Sequence, residues 1–198
     1  MENESLKNFV SIFKGMIFQI LQKKNDGKTF EIARRSPGVR MLVITPDKKL
    51  ILTRERRLEC NNQPDYRLPG GKVADTLDEY LDSYDRGVLA ERILSALQKE
   101  LREETGIIVE SVNDIELIHT SLCGGTVHWY LYYFLIKNFS RQSPEPEQGE
   151  EIEVLELPIK EVVELLLLGR MSEDRSRAVL YTYLLKNYPK EFIAAIKN

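Results

Sequence analysis

Three acidic residues crowd the end of one segment of the sequence, residues 97–107, which reads LQKELREETGI. Glu100, Glu103 and Glu104 stand at positions i, i+3 and i+4, which are neighbours on one face of a helix. Without a partner, such carboxylates repel one another by roughly a few tenths of a kcal/mol per pair. A divalent cation reverses that sign, and Mg²⁺ typically bridges one or two carboxylates to substrate phosphates. The spacing therefore suggests metal-assisted cleavage of a diphosphate.

The same residues also fit a solvated surface helix, in which Lys99 and Arg102 balance the carboxylates. Three features nearby favour the metal site. They are an upstream LPGG turn that ends at Gly71, a further acid at Glu91, and Gly106 followed by an apolar strand. Residue types alone leave both interpretations open, so the surrounding elements matter.

Apolar periodicity predicts a helix over residues 88–105, with one face buried and the acidic face opposite it. Gly106 stands where a glycine in the left-handed conformation usually ends a helix. A shorter helix is predicted over residues 76–84, capped by Asp75 or Thr76. The buried face of the longer helix is predicted from leucines and an isoleucine one turn apart: Leu89, Ile93, Leu97 and Leu101.

The other elements are predicted from alternation, turn residues and caps. A hairpin turning at Gly27 is favoured from about residue 16, with a helix or loose arm before it, because helical spacing is also present there. Strands mixed with a few packed helices predict an α+β or α/β sandwich. The remaining predictions are strands at 39–45, 49–55, 107–112, 115–121, 127–137 and 152–158, and helices at 159–168 and at 173–188 behind a Ser172 cap.

Composition limits the function classes. The chain has 198 residues and a net charge of −3, which predicts one principal domain and gives no sign of nucleic-acid or membrane-surface binding. Cys60 and Cys123 form no CxxC pair, and with His128 they are predicted to be structural. No apolar run approaches ~18 residues, and the first residues lack a signal-peptide pattern. A cytoplasmic protein is expected.

Together the segments resemble a Nudix box. Its pattern is Gly, five residues, Glu, seven residues, then Arg-Glu-apolar-any-Glu-Glu-any-Gly-apolar. From Glu91 onward the sequence is similar at every defined position except Lys99, which stands where the family has Arg. Gly71 fits the opening glycine, but nineteen residues rather than five separate it from Glu91. The fourteen extra residues, TLDEYLDSYDRGVL, coincide with the predicted short helix and could form a lid or narrow the pocket.

The resemblance implies an α+β fold, an α/β/α sandwich of Nudix type, with an N-terminal β-hairpin and an insertion inside the box. Residues 1–35 would form an arm and hairpin that contribute to a homodimer. Residues 36–198 would form the hydrolase domain, with the insertion at about 74–88.

The resemblance also implies a metal site for Mg²⁺, with Mn²⁺ as an alternative. Glu100 and Glu104 would be metal ligands, the Gly70 carbonyl would complete the site, and Glu103 would bridge the metal or hold its water. Lys keeps the charge of the family's Arg but lacks its planar fork, so a brace between Glu91 and Lys99 would be looser. The residues with structural roles in the box would be Gly71, Glu91, Lys99 and Gly106.

Beyond the box, DGKTFEIARRSPGVRMLVI, LILTRERR, RLPGGKV and the C-terminal region are similar to ADP-ribose pyrophosphatases. That group implies substrate contacts at Glu31 and at Arg57, with Arg56 as a competitor. An acidic loop would supply the catalytic base or another metal ligand through Glu147 or Glu150. A basic strand end and a disordered acidic loop are the competing interpretations of these residues.

The expected function is Mg²⁺-dependent hydrolysis of a nucleoside diphosphate linked to another moiety, with ADP-ribose or a nucleotide-sugar as leading substrates. The products would be a nucleoside monophosphate and a sugar phosphate. The segment SLCGGT lacks the proline usual in the ADP-ribose group, which leaves the substrate open. A non-catalytic Nudix domain that binds a nucleotide is the alternative, although binding alone does not require all three glutamates of the cluster.

Overall fold

The computed structural model describes residues 6–56, 63–145 and 151–197. In chain order, the described strands are β1 Val10–Lys14, β2 Phe18–Asn25, β3 Lys28–Arg35, β4 Gly38–Ile44, β5 Lys49–Arg56, β6 Pro64–Arg67, β7 Ile107–Ile108, β8 Ile115–Leu122, β9 Val127–His128, β10 Tyr130–Ile136, β11 Ser140–Arg141 and β12 Ile152–Pro158. The described helices are α1 Leu77–Asp85, α2 Leu89–Glu100, α3 Ile159–Leu167, α4 Asp174–Asn187 and α5 Pro189–Ile196.

The chain forms two compact units. The first comprises residues up to Val39 together with Lys72–Ala96 and Thr120–Tyr132. The second comprises Arg40–Gly71, Leu97–His119 and the chain from Tyr133 onward. No described helix is both long and apolar enough to cross a membrane.

The first unit is built on a four-stranded sheet in the order β1-β2-β3-β9. The β2–β3 hairpin turns at Asp26 and Gly27, whose φ angles are 49° and 74°, and this confirms the predicted hairpin. The helix or loose arm expected before it is wrong, because Val10–Lys14 is a strand paired with β2. A spacing of four residues places side chains on one face of a strand as well as of a helix, which explains the error.

The predicted short helix is confirmed as α1, and it packs within the first unit. Thr76 caps it, since its Oγ1 accepts a hydrogen bond from the Glu79 amide at 3.2 Å. The Leu77 amide donates to the Met16 carbonyl at 2.8 Å, while Leu77 and Tyr80 are buried. The insertion is therefore fixed to the loop between β1 and β2.

The second unit is organised around a sheet in the order β12-β5-β4-β10-β8, with β6 also paired to β5. Strand β12 runs antiparallel to β5 from the pair Ile152–Glu55 to the pair Pro158–Lys49. The core of this unit is apolar, and its fully buried members come from β4, β5, the end of α2, the turn that follows α2, α3 and α4: Met41, Leu42, Leu50, Leu52, Leu97, Leu101, Val162, Leu166, Leu180 and Leu184.

Two further predictions are wrong. The single strand expected over 127–137 is two strands, because β9 pairs with β3 while β10 belongs to the other sheet. Ser172 does not cap α4, whose N-cap position is Glu173; the Ser172 amide and hydroxyl donate to Asp65 at 2.8 and 2.7 Å. A buried carboxylate outcompetes the helix end for the serine because a buried charge must be hydrogen-bonded.

Candidate active site

The acidic cluster lies where a regular helix changes to a wider one. Helix α2 ends at Glu100, and Leu101–Thr105 forms a π-helical turn, a rare form that is frequent at functional sites. The Thr105 hydroxyl donates to the Leu101 carbonyl at 2.6 Å within this turn. Gly106 ends it with φ 69°, as predicted, whereas an α-helical last turn was expected and is wrong.

Gly106 is also a point of close packing. A Cβ added there would lie closer than 3.0 Å to the carbonyl oxygen of Gln142. The Gln142 amide donates to the Gly106 carbonyl at 2.8 Å, and β11 pairs with β7 beside it. The π-helical turn 101–105 is called the acidic turn below, because it carries Glu103 and Glu104. The absence of a side chain at Gly106 thus lets the segment that starts at Gln142 lie against the end of the acidic turn.

Glu100 lies directly over Gly71. A Cβ built on Gly71 would come closer than 3.0 Å to three atoms of the Glu100 carboxyl group, a separation that real Cβ atoms essentially never show. The φ angle of Gly71 is not in the left-handed region, so backbone conformation does not require glycine there. The carboxylate therefore occupies the space that only a glycine leaves free.

Glu104 is buried and faces the same turn, with 7% of its surface exposed. Its Oε2 accepts a hydrogen bond from the Gly70 amide at 2.8 Å, and Gly70 has φ 148°. Burial raises the pKa of Glu104 to about 8; the negative charges of Glu100 and Glu55 raise it further, against the Gly70 hydrogen bond and Arg40. A buried carboxyl surrounded by other carboxylates is suited to a cation.

Glu55 and Arg40 were not identified from the sequence. Glu55 is 7% exposed and accepts a hydrogen bond from the Thr53 hydroxyl at 3.2 Å. Arg40 is 8% exposed, and its guanidinium donates to Glu173 at 2.8 and 3.0 Å. The available signal was a charged residue inside an apolar strand, as in VRMLVI, because such a charge needs a buried partner.

Glu103 connects the turn to the chain that precedes the acidic loop. Its carboxylate lies 3.4 Å from the Lys99 ammonium and 3.9 Å from Arg102. Its carbonyl accepts a hydrogen bond from the Glu145 amide at 3.0 Å, and Arg102 lies 3.8 Å from the Glu145 carboxylate. Glu145 is thereby held at the acidic turn through its main chain.

The second unit thus brings together Gly70, Gly71, Glu100, Glu103 and Glu104. Lys99 also lies in this unit, on the same helix end. Glu91 is exposed on α2 in the first unit, so its predicted brace with Lys99 stays a prediction.

Of the predicted substrate contacts, Arg56 lines a cavity of about 400 Å³ together with Glu55 and the start of β12. Glu31 lies in the first unit, where its carboxylate accepts a hydrogen bond from Gln22 at 3.0 Å. The predictions for the other three fall outside the described residues: Arg57, Glu147 and Glu150.

The aromatic residues of 129–133 differ in their surroundings. Tyr132 and Tyr133 are buried, and the Arg35 guanidinium lies 4.4 Å from the centre of the Trp129 ring. His128 is buried, Cys123 is a free thiol, and Cys60 is outside the described residues. The two buried tyrosines therefore belong to the core.

Known proteins resemble this chain in sequence and in fold. The sequence profile of the NUDIX domain matches residues 34–180, well over half of the chain. The chain belongs to the NUDIX domain family. A GDP-mannose pyrophosphatase from Enterobacter sp. (strain 638) is 27% identical over 160 residues, covering 78% of this chain and 76% of that protein.

A solved structure described as that of an ADP compounds hydrolase superposes with a TM-score of 0.62 over 91% of this chain and 92% of its own, at 17% identity. At that identity the likeness speaks for the Nudix fold alone, and it confirms the predicted α+β class. The predicted recognition as a Nudix hydrolase that resembles the ADP-ribose pyrophosphatase group is confirmed. The protein is an enzyme that acts on pyrophosphate bonds.

The donors of this Nudix site are carboxylate oxygens held at the Gly70–Gly71 turn. The described residues contain no group of three or more His, Cys, Asp or Glu side chains that could hold a metal ion by themselves. Mg²⁺ does not need such a cage, because it keeps waters and shares substrate phosphates with one or two carboxylates. Glu100 over Gly71 and the buried Glu104 provide hard oxygen donors of this kind. The residues therefore fit a metal shared with the substrate.

Proposed function

We propose that this Nudix hydrolase cleaves a nucleoside diphosphate linked to another moiety, in a reaction that depends on Mg²⁺ or Mn²⁺. ADP-ribose and GDP-mannose represent the two leading substrate classes, as the similar proteins suggest. The observation that carries the proposal is the pair of carboxylates held against the Gly70–Gly71 turn, with Glu100 over Gly71 and Glu104 on the Gly70 amide.

In the proposed reaction, Glu100, Glu104 and the Gly70 carbonyl would hold the cation. When bound, Mg²⁺ would neutralise diphosphate oxygens and lower the pKa of the attacking water. Water attacks one phosphorus, the bridging P–O bond breaks, and the leaving phosphate departs with the bridging oxygen. The products are a nucleoside monophosphate and a phosphorylated second moiety.

Glu103 is the proposed catalytic carboxylate of the acidic turn. It is mostly buried, with 17% of its side chain exposed, and its carboxylate lies 3.4 Å from the Lys99 ammonium. A carboxylate in this position can hold the attacking water and accept its proton.

Glu147 and Glu150 are the proposed alternative bases, on the acidic loop. The loop is bounded by Glu145, whose amide is bound to the Glu103 carbonyl, and by Ile152, which is paired with Glu55. Both ends of the loop thus start from residues of the proposed site.

Substrate contacts are proposed for Arg56, Arg57 and Glu31. Arg56 lines the 400 Å³ cavity that Glu55 also lines, and Glu55 acts electrostatically on Glu104. An arginine at this point suits a phosphate oxygen, because its guanidinium presents several donors in a planar fork.

A homodimer is also proposed, formed through the N-terminal sheet. Large apolar side chains are exposed on this part of the first unit, and apolar surface of this kind can mark an interface between proteins. Size-exclusion chromatography with light scattering tests this, and a monomer at micromolar concentration would contradict it. The exposed residues are Val10, Ile12, Phe13, Met16, Ile17 and Phe30.

The activity is tested with a substrate panel of ADP-ribose, GDP-mannose and other nucleotide-sugars, dinucleotides and NADH, each incubated with Mg²⁺, with Mn²⁺ or with EDTA. We expect a nucleoside monophosphate and a phosphorylated second product only when a divalent cation is present. Thermal shift measured on the same samples separates binding from turnover. Cation-dependent binding without product from any substrate would overturn the proposal.

A further inference from the structure

The two edges of the central sheet of the second unit are built differently. Strand β12 forms one edge and carries Glu153, Glu156 and Pro158, which are residues that discourage pairing with another strand. Among the described strands, β8 forms the other edge. It has one charged residue, Glu116, and leaves Leu117 53% exposed. The β8 edge therefore lacks the protection that the β12 edge has.

A groove runs along the unprotected edge, between β8 and α4. Its volume is about 620 Å³, within the range of ligand sites in proteins. Four consecutive residues of β8, 116–119, line one side, and Leu135 of the neighbouring strand contributes to it. On a strand this length is ~13 Å, so the groove follows the main chain of β8. The other side is formed by α4 residues about one turn apart, including Val179, Thr182, Tyr183 and Lys186.

The charges around the groove are unequal. Glu116 is neutralised by Lys137, whose ammonium lies 2.7 Å from its carboxylate. Lys186 is exposed and makes no ion pair with any carboxylate in the part of the chain that the structure describes. The helix side of the groove thus presents an uncompensated positive charge, which is complementary to an acidic group.

We propose that this groove binds a short, extended peptide segment of another protein, which adds a strand to β8 and directs an acidic side chain to Lys186. An extended main chain can match the hydrogen-bonding groups of the β8 edge, and every second side chain of the added strand then points to the face of the sheet on which α4 lies. This binding site lies outside the proposed hydrolytic site and does not depend on the substrate.

A second copy of the chain is a less suitable occupant. A two-fold axis perpendicular to the sheet would pair two β8 strands antiparallel and bring both α4 helices to the same face of the joined sheet. The two joined grooves would then carry two Lys186 charges of the same sign, while Glu116 of each copy is already paired with Lys137. A separate acidic segment meets no such repulsion.

Fluorescence polarisation tests the proposal with a peptide that carries fluorescein at its N-terminus, fluorescein-Thr-Val-Asp-Val-Thr-amide, added to the whole protein. We expect saturable binding that weakens about tenfold in Lys186→Glu, the size of effect expected when one favourable charge contact is reversed. Thr182→Arg should weaken binding at least as much, because the exposed Thr182 lines the groove and a long side chain there would fill it. Leu185→Arg is the matched control, because Leu185 is exposed on the same helix but outside the groove.

Two further measurements identify the mode of binding. Hydrogen exchange should slow at β8 amides when the peptide is present. Of two peptides N-methylated at the two alternate sets of amides, the one whose methyl groups face β8 should fail to bind and the other should still bind. The proposal is overturned if the peptide shows no binding at millimolar concentration, if Thr182→Arg and Leu185→Arg behave alike, or if both N-methylated peptides bind as the unmodified peptide does. Self-association of the wild type that Thr182→Arg abolishes would assign the groove to a second copy and overturn it as well.

Discussion

Replacing Gly71 by alanine should impair catalysis much more than folding. The added Cβ would lie too close to three atoms of the Glu100 carboxyl, and even the farthest of them, Oε2, would be only 2.5 Å away. Since ordinary contact begins at 3.4 Å, the carboxylate must retreat by about 1 Å, a displacement that can cost on the order of 100-fold in rate at an active site. The carboxylate is the flexible end of its side chain, so the free energy of unfolding should fall by less than about 1 kcal/mol.

The assay is steady-state hydrolysis as a function of Mg²⁺ concentration, with urea unfolding of the same samples. Gly125→Ala is the control, because an added Cβ there meets no atom within 4 Å and its φ is not left-handed. The effects of the two positions should also be coupled, since Gly71 acts only through Glu100. In a Glu100→Ala background, Gly71→Ala should cause no further loss of activity. Full activity of Gly71→Ala, or an equal loss in both backgrounds, would show that Gly71 does not act by leaving space for the Glu100 carboxylate.

Three other changes test separate parts of the site. Glu104→Gln should abolish Mg²⁺-dependent turnover with folding retained. The pKa of Glu104 is raised from 4.5 to about 8, so without metal the wild type should lose stability relative to this variant as the pH rises from 4.5 towards 8. Urea unfolding in EDTA measures this difference. Near-normal turnover would contradict its role as a ligand. Burial would raise the pKa of Glu173, but the Arg40 charge and hydrogen bonds lower it to about 2. Glu173→Gln should therefore lower the free energy of unfolding by up to about 3 kcal/mol at pH 7. In acid-unfolding experiments this loss should shrink as the pH falls from 4.5 to 2. A loss that is independent of pH would contradict the ion pair. Gly106→Ala should lower the free energy of unfolding by at least about 1 kcal/mol, because the φ angle of Gly106 is left-handed and the added Cβ would meet the main-chain carbonyl of Gln142, which cannot move away easily. Unchanged thermal unfolding would argue against this packing.

The sequence predicted the elements whose periodicity is strong and whose ends carry caps. The two helices of residues 76–105 and the glycine that ends the second follow from local rules about burial, caps and φ. The cluster of Glu100, Glu103 and Glu104 follows from helical spacing, and the Nudix resemblance adds Gly71.

What the sequence did not reveal depends on contacts between distant segments. The π-helical turn leaves no pattern in LREET, and the placement of Glu100 over Gly71 joins residues far apart in the chain. The break between β9 and β10 arises because two sheets compete for one continuous apolar run. Arg40 is explained only by Glu173, which lies 133 residues further along the chain. Local propensity contains no information about such partners.

The attachment of α1 to the N-terminal strands makes the two segments structurally interdependent. The Met16 carbonyl receives the Leu77 amide, and Lys14 pairs with Asp78, so each segment supplies polar partners that the other needs. Deleting the insertion would leave the loop between β1 and β2 without these contacts, and removing the N-terminal strands would uncover the start of α1. A chimaera with another Nudix hydrolase should therefore exchange both segments together or neither.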